Sequence, residues 1–258
     1  MQSLYPSTTN KAVSGIGKVI VITSGKGGTG KTTTTAAVAS CLAALGHKTL
    51  AVDCDIGLRN LDVSLSMSDF AGTDFLDVVD ERVELSDAVH EHPSIENLFF
   101  LSAPATTSAA DIDAEKMADF VAAARDAFDF TLLDCPAGIG TGFRLAAQNA
   151  DTAVIVSTSD VSSIRDASVT AQQLADMELG EIRLLINRYN RRRAKQWRET
   201  VDDLIDSAGA QLIGIVREDI SVPDAVSDET PLILYSGAGA AQDFLATARR
   251  LAGEELPI

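Results

Sequence analysis

The residues Gly25-Lys26-Gly27-Gly28-Thr29-Gly30-Lys31-Thr32 fit the pattern G-x-x-x-x-G-K-[ST], whose chemistry is the holding of phosphate. Glycines let successive backbone N–H groups turn toward one anion. A helix starting where the loop ends adds the positive end of its dipole. Lys31 is placed to reach the β- and γ-phosphates of a nucleotide and the Thr32 hydroxyl to ligate Mg2+, with Thr33 next in the contacting set. Three carboxylates offer the complementary chemistry. Asp53 and Asp55 stand two residues apart after the apolar run Thr49 to Val52, and Asp134 ends the run Phe130 to Leu133. A carboxylate at the C-terminal end of a strand points into the ligand crevice of an open α/β sheet, where it can hold Mg2+ directly or through water. Read singly, Asp53 and Asp55 would each be surface-turn aspartates; the ordered string of motifs points them at the γ-phosphate.

These groups act together only if strands and helices carry them to one edge. The hydrophobic pattern predicts strands at 18–23, 48–53, 130–134, 152–157, 182–187 and 211–216, with a further strand within 97–103. It predicts helices at 32–45, 113–128, 143–149, 161–178, 196–208 and 237–252. That alternation implies an α/β class, doubly wound fold, with a mostly parallel sheet and helices on both faces. The length suits one domain, over 18–256. Residues 1–17 lack apolar periodicity and read as a mobile tail without the apolar core of a signal peptide.

The extra lysine in K-G-G-T-G-K-T, Lys26, has no role in an ordinary phosphate loop. With it, the chain resembles the MinD/ParA group of deviant Walker-A ATPases, which are P-loop NTPases of the SIMIBI type. The match continues in Asp53-Cys54-Asp55-Ile56-Gly57-Leu58-Arg59-Asn60-Leu61-Asp62, in Asp134-Cys135-Pro136-Ala137-Gly138-Ile139 and in Ser159 to Asp166. The first two have the form of switch I and switch II in the MinD members of the group. The resemblance implies ATP and Mg2+ as ligands and a homodimer closed around two nucleotides in the ATP state, with Lys26 reaching the partner's ATP. It further implies that Asp55 orients the attacking water, that Asp53 lies close to the Mg2+ shell and that Asn187 hydrogen-bonds adenine. A second adenine wall comes in that group from a V-x-P-E-D loop; here Val216-Arg217-Glu218-Asp219 puts Arg217 where the proline stands, and a guanidinium plane could stack on the base.

Composition bounds the partners. The net charge is −16, from 37 acidic and 21 basic residues. Scarce lysine and abundant aspartate resemble proteins of salt-accumulating halophilic archaea, whose anionic surfaces stay hydrated when salt screens their repulsion. Cys41, Cys54 and Cys135 have no C-x-x-C spacing, which disfavours an iron–sulfur carrier and fits buried thiols. His47, His90 and His92 have no metal-site spacing; His90 and His92 could chelate, but solvated loop histidines are the simpler reading. One basic cluster stands out: Arg188, Arg191, Arg192, Arg193, Lys195 and Arg198, with Tyr189 and Trp197 interleaved. It could meet DNA or anionic lipid, but pairing with Glu199, Asp202 and Asp203 is the simpler expectation, so a nucleic-acid partner is not expected. The last segment, Gly253 to Ile258, is similar to the run-up to the membrane helix of the MinD members, and no such helix follows. Membrane contact is therefore expected only indirectly, through an unidentified protein partner, from a cytoplasmic pool that such a partner could recruit to a cell pole.

These features imply a MinD-like ATPase working as an ATP-dependent dimerisation switch that positions a cellular machine such as a pole, division or surface-motility apparatus. A ParA-type DNA-partitioning ATPase is the alternative within the group, supported by the basic cluster and opposed by the switch strings. An ATP-dependent small-molecule ligase on the same fold is the alternative outside it. A scaffold that binds nucleotide without hydrolysing it is disfavoured by the three aspartates.

Overall fold

The computed structural model describes residues 17–56, 59–70, 72–104, 109–197 and 200–258, with backbone alone at Gln196 and Trp197. Gly57 and Leu58 of the switch I string, Arg198, Glu199 and most of the expected tail lie outside these. Gly17 belongs to the fold, not to the tail: its N–H donates to Arg125 O at 3.1 Å.

The strands are β1 (Lys18–Thr23), β2 (Thr49–Asp53), β3 (His90–Glu91), β4 (Leu98–Leu101), β5 (Phe130–Asp134), β6 (Thr152–Ser157), β7 (Glu181–Tyr189) and β8 (Gln211–Arg217). They form one sheet in the order β3-β4-β2-β5-β1-β6-β7-β8. Every pairing is parallel except β3 with β4. The central strands β1, β2, β5 and β6 are buried along nearly their whole length. Continuous β-branched and leucine runs such as Val19-Ile20-Val21-Ile22 suit strands covered on both sides. The chain winds from β1 out to β2 and β4, returns to β5, then crosses β1 to β6. That reversal opens a crevice at the C-terminal end of β1, where ligands bind in such sheets.

The helices are α1 (Lys31–Ala44), α2 (Leu61–Ser64), α3 (Phe75–Val79), α4 (Leu85–Ala88), α5 (Ala114–Ala127), α6 (Thr141–Ala147), α7 (Val161–Asp176), α8 (Arg191–Trp197), α9 (Val201–Ala208), α10 (Ser221–Ser227), α11 (Leu232–Tyr235) and α12 (Ala240–Leu251). They cover two separate cores. Leu50, Val52, Leu133 and Ile155 meet Phe120 and Phe143 on one face, while Ile20, Ile22, Leu132 and Val154 meet Val38, Leu42 and Phe244 on the other. Each large apolar side chain so buried contributes about 1.5–3 kcal/mol.

Several expected boundaries move. The helix expected at 196–208 is two: α8 ends at Trp197, and α9 starts at a capping box in which Thr200 and Asp203 each bond the other's backbone N–H. Strand β7 runs on to Tyr189. The stretch from 61 to 91, which the hydrophobic pattern leaves unassigned, holds α2, α3, α4 and the edge strand β3. These helices are four or five residues long, too short for a hydrophobic period to register, and α3 is announced only by its Asp74/Asp77 capping box.

Candidate functional site

The phosphate loop joins β1 to α1 at the crevice. Gly28 and Gly30 have φ of 80° and 94°, left-handed values that favour glycine. Gly30 is also pressed from below, since a Cβ there would lie 2.3 Å from Asn187 Nδ2. A Cβ on Gly25 would come within 2.4 Å of the Asp166 carbonyl oxygen on α7. A Cβ on Gly27 or Gly28, by contrast, would meet nothing within 4 Å, so their bare backbone faces open space that an anion could fill. Ser24 Oγ donates to Lys26 O at 2.8 Å, and Gly138 N of switch II donates to Ser24 O at 3.1 Å.

Lys31 opens α1 and is buried to 8 % exposure. Asp134 is the register partner of Asp53 on β2 and of Ile22 on β1. Its carboxyl takes hydrogen bonds from Thr32 and Thr35, the latter 2.9 Å from Oδ1, while the buried Oδ2 has no partner. Burial pushes Asp134 up to about 7, against the Thr32 bond and the Lys31 charge, and the nearby Asp53 adds to the rise. Asp53 is pushed up to about 6, again by burial. Burial outweighs the Lys31 charge at Asp134, so the pair would gain from a further positive charge. Among the described residues no three His, Cys, Asp or Glu side chains cluster as a metal site. A divalent cation would thus take its remaining ligands from phosphate oxygens and water, as Mg2+ does beside nucleotides. Thr32 and Asp134 fit that part.

Asp53 does not offer a free carboxylate. Oδ1 accepts from Asp55 N at 2.9 Å and Oδ2 from Leu61 N at 3.2 Å, so it organises the switch I backbone from beneath. Asp55 is half-buried and raised by that burial, with the Lys31 charge opposing. Lys26 Nζ lies 3.0 Å from Asp160 Oδ1 and 2.8 Å from Ser162 Oγ, at the start of α7. Burial works to raise Asp160, but hydrogen bonds from Thr158, Ser162, Lys26 and Ser163 N hold it well below the usual carboxylate range.

The two residues expected at the base each have a partner within the chain. Asn187 is 5 % exposed, and both ends of its amide are engaged by the chain: Nδ2 donates to Thr29 O at 2.8 Å and Oδ1 accepts from Arg188 N at 2.9 Å. It props the phosphate loop. Arg217 forks onto Asp243 of α12 with two bonds of 2.7 Å. The fork uses the edge of the guanidinium and fixes its direction toward α12. A groove of about 360 Å³ is lined by Lys26 to Thr29, by the start of α7 and by Arg188, Asn190, Arg193 and Glu218. Of the expected pairing of the basic cluster, Arg198 and Glu199 lie outside the described residues, and the rest is not seen. Among the described residues Arg188, Arg191, Arg192, Arg193 and Lys195 make no ion pair, and Asp203 is occupied by Thr200.

Sequence reasoning passed over Thr35, Asp160, Asn190 and Glu218. Thr35 was legible as the residue one turn beyond Thr32. Asp160 was legible as a helix cap, but its contact with Lys26, 134 positions away, had no local signal. His92, read as a solvated loop residue, is 5 % exposed. Its Nδ1 accepts from Ser94 N and Ile95 N and its Nε2 lies 3.0 Å from Leu65 O, which leaves no lone pair for a metal. No described helix is long and apolar enough to cross a membrane.

Residues 20–232 match the family model of the CobQ/CobB/MinD/ParA nucleotide binding domain. The septum site-determining protein MinD of Synechocystis is 38 % identical over 93 % of this chain and 91 % of its own, and that of Escherichia coli K12 37 % over 93 % of each. The solved MinD cell division protein of Aquifex aeolicus superposes with a TM-score of 0.85 at 38 % identity, over 93 % of this chain and 99 % of that one. A Pyrococcus horikoshii MinD complexed with Mg-ADP gives 0.81 at 29 %, over 92 % and 98 %. A ParA family ATPase from Chlorobium tepidum, at 21 % identity and 0.78, shares the fold. With the family model spanning residues 20–232 and MinD proteins 37–38 % identical over 93 % of its length, this chain belongs to the CobQ/CobB/MinD/ParA nucleotide-binding family and to its MinD members.

Proposed function

We propose that this chain is a Mg2+-dependent ATP hydrolase that works as a dimerisation switch for spatial positioning. The observation that carries the reading is the pairing of a phosphate loop, with open backbone at Gly27 and Gly28, and a buried Asp134 whose Oδ2 has no partner. Bound at Thr32 and Asp134, Mg2+ would neutralise charge on the phosphates. Lys31 binds the β- and γ-phosphates. Asp55, held by the Asp53 bond to its N–H, orients water in line with the γ-phosphorus and accepts hydrogen bonds from it.

Lys26 is the residue assigned to the partner's nucleotide. It starts from a contact within its own chain, an ion pair with side chains 35 % and 45 % exposed. Such a pair is worth about 0–1 kcal/mol, so a triphosphate arriving from a second copy can take the lysine over. The exposed Ile139 of switch II and Val161 at the start of α7 give that face apolar area to bury. A partner protein would then read the dimer; the Aquifex MinD is known in a MinC:MinD complex.

The test is light scattering with ATP, ADP and no nucleotide on wild type, Lys26→Ala and Lys31→Ala. Dimer formed with ATP alone, lost in Lys26→Ala despite normal ATP binding and lost with binding in Lys31→Ala, supports the switch. A Lys26→Ala protein that dimerises normally rejects the trans role.

A further inference from the structure

We infer that Cys54 and Cys135 form a redox-modification site, which a peroxide converts to a disulfide that staples the switch I segment to the switch II segment. The effect assigned to the staple rests on the switch reading above; its formation does not.

The two thiols are the first residues past the ends of β2 and β5, each directly after one of the buried aspartates. Asp53 and Asp134 are register partners, and the ladder runs one step further, since Cys54 N donates to Asp134 O at 3.0 Å. On the other side of β5, Cys135 N donates to Ile22 O at 3.1 Å. Cys54 therefore stands opposite Cys135 across a parallel pair. Side chains alternate along a strand, so both thiols turn away from the aspartates, into the core that holds Val52 and Leu133. Neighbouring strands lie about 4.7–4.9 Å apart, within the roughly 4.4–6.8 Å between Cα atoms that a disulfide spans. Cys41 belongs to the core on the opposite face, so the sheet separates it from the pair.

Both are free thiols, at 5 % and 0 % exposure, yet the core ends with them. Asp55, Ile56 and Pro136 are half-buried and Ala137 is exposed. Access therefore needs the departure of the segments that leave β2 and β5, a local opening and not an unfolding. The chemistry balances with a peroxide as oxidant. Its O–O bond breaks as the sulfur of Cys54, the more exposed of the two, becomes a sulfenic acid, and one water leaves. The Cys135 thiol then displaces the hydroxyl as a second water, and the S–S bond forms. The pair loses two electrons and two protons, which the peroxide takes up. Switch I and switch II then leave the sheet as one piece. A γ-phosphate can no longer rearrange them separately, while Lys31 and the phosphate loop are untouched.

The experiment treats the full chain with hydrogen peroxide, blocks the remaining thiols with a maleimide and maps the peptides by mass spectrometry. Wild type, Cys41→Ala and Cys135→Ala are compared. Wild type and Cys41→Ala are expected to give a peptide pair joined through Cys54 and Cys135, lighter by two hydrogens and released by a thiol reductant. Oxidised wild type is expected to keep its ADP affinity and lose ATP-dependent dimerisation in light scattering, with reductant restoring it. Peroxide should leave the dimerisation of Cys135→Ala as it was before treatment. Separate sulfinic acids, or thiols that stay free, would overturn the site and return both cysteines to packing. A joined pair with dimerisation unaltered would overturn the effect of the staple. If reduced wild type bound no nucleotide, the switch reading would fall, whereas the joined peptide stands or falls by mass alone.

Discussion

Replacing Asn187 by alanine separates two roles for one side chain. In this structure the amide sits under the phosphate loop, donating to Thr29 O at 2.8 Å and accepting from Arg188 N at 2.9 Å, at 5 % exposure. The substitution strips a partner from each of two backbone groups. A buried polar group left unpaired costs about 1–3 kcal/mol. If the Thr29 share falls on the order of the loop, phosphate affinity drops by about 5- to 150-fold, at 1.4 kcal/mol per tenfold. The loss travels through the loop and should therefore be the same for tripolyphosphate, ADP and ATP in calorimetric titration. The Arg188 share should appear as a fall in nucleotide-free melting temperature, about 2–4 °C per kcal/mol for a chain of this size. A variant that keeps tripolyphosphate affinity while losing ATP would show that the amide reads the base, and the loop-prop argument would be wrong.

Three further outcomes are expected. Gly25→Ala drives a Cβ to 2.4 Å from the Asp166 carbonyl oxygen and 2.5 Å from its carbon; backbone cannot give, so nucleotide affinity should fall about tenfold or more, and normal titration would refute the contact. Asp55→Ala should bind ATP but hydrolyse it about a hundredfold more slowly, measured as phosphate release in a single turnover; an unchanged rate would remove Asp55 from the chemistry. Burial holds the His92 ring below its ordinary value of 6.5, against the favourable bond to Leu65 O. The folded state disfavours the proton, so the contribution of His92 is complete above about 6.5 and is lost as pH falls below it. Melting curves from pH 7.5 to 5.5 should thus fall more steeply for wild type than for His92→Gln, and parallel curves would contradict the assignment.

The central strands and the long helices were legible because runs such as Val19 to Ile22 and the periodic pattern of α7 repeat over enough residues to exceed chance. The phosphate loop was legible because its glycines and lysine must occur at fixed spacing. What sequence could not show were contacts between distant positions. Lys26 with Asp160, Asn187 with Thr29 and Arg217 with Asp243 are each set by sheet order, which brings the ends of β1, β6, β7 and β8 together. Asn187 and Arg217 were placed at the base by analogy of position; their partners in the structure, a loop carbonyl and an α12 carboxylate, had no local signal. In the basic cluster, Asp203 was taken up by a helix cap, a local signal that the Thr200/Asp203 spacing itself carried.

Helix α1 has almost no wet side. Of its 14 residues, 11 are buried, and it lies between the sheet and α12, which packs along it. An element clamped from two sides cannot slide or tilt without opening both interfaces, and close-packed interiors resist such partial displacement. Lys31 and the end of the phosphate loop are therefore a fixed datum, and on the proposed reading a third phosphate would be gauged against it. The moving needle would then be the opposite wall, the segments leaving β2 and β5 through Cys54 and Cys135. Nucleotide state would then be broadcast from the switch strands outward, while the helix that grips the phosphates stays silent.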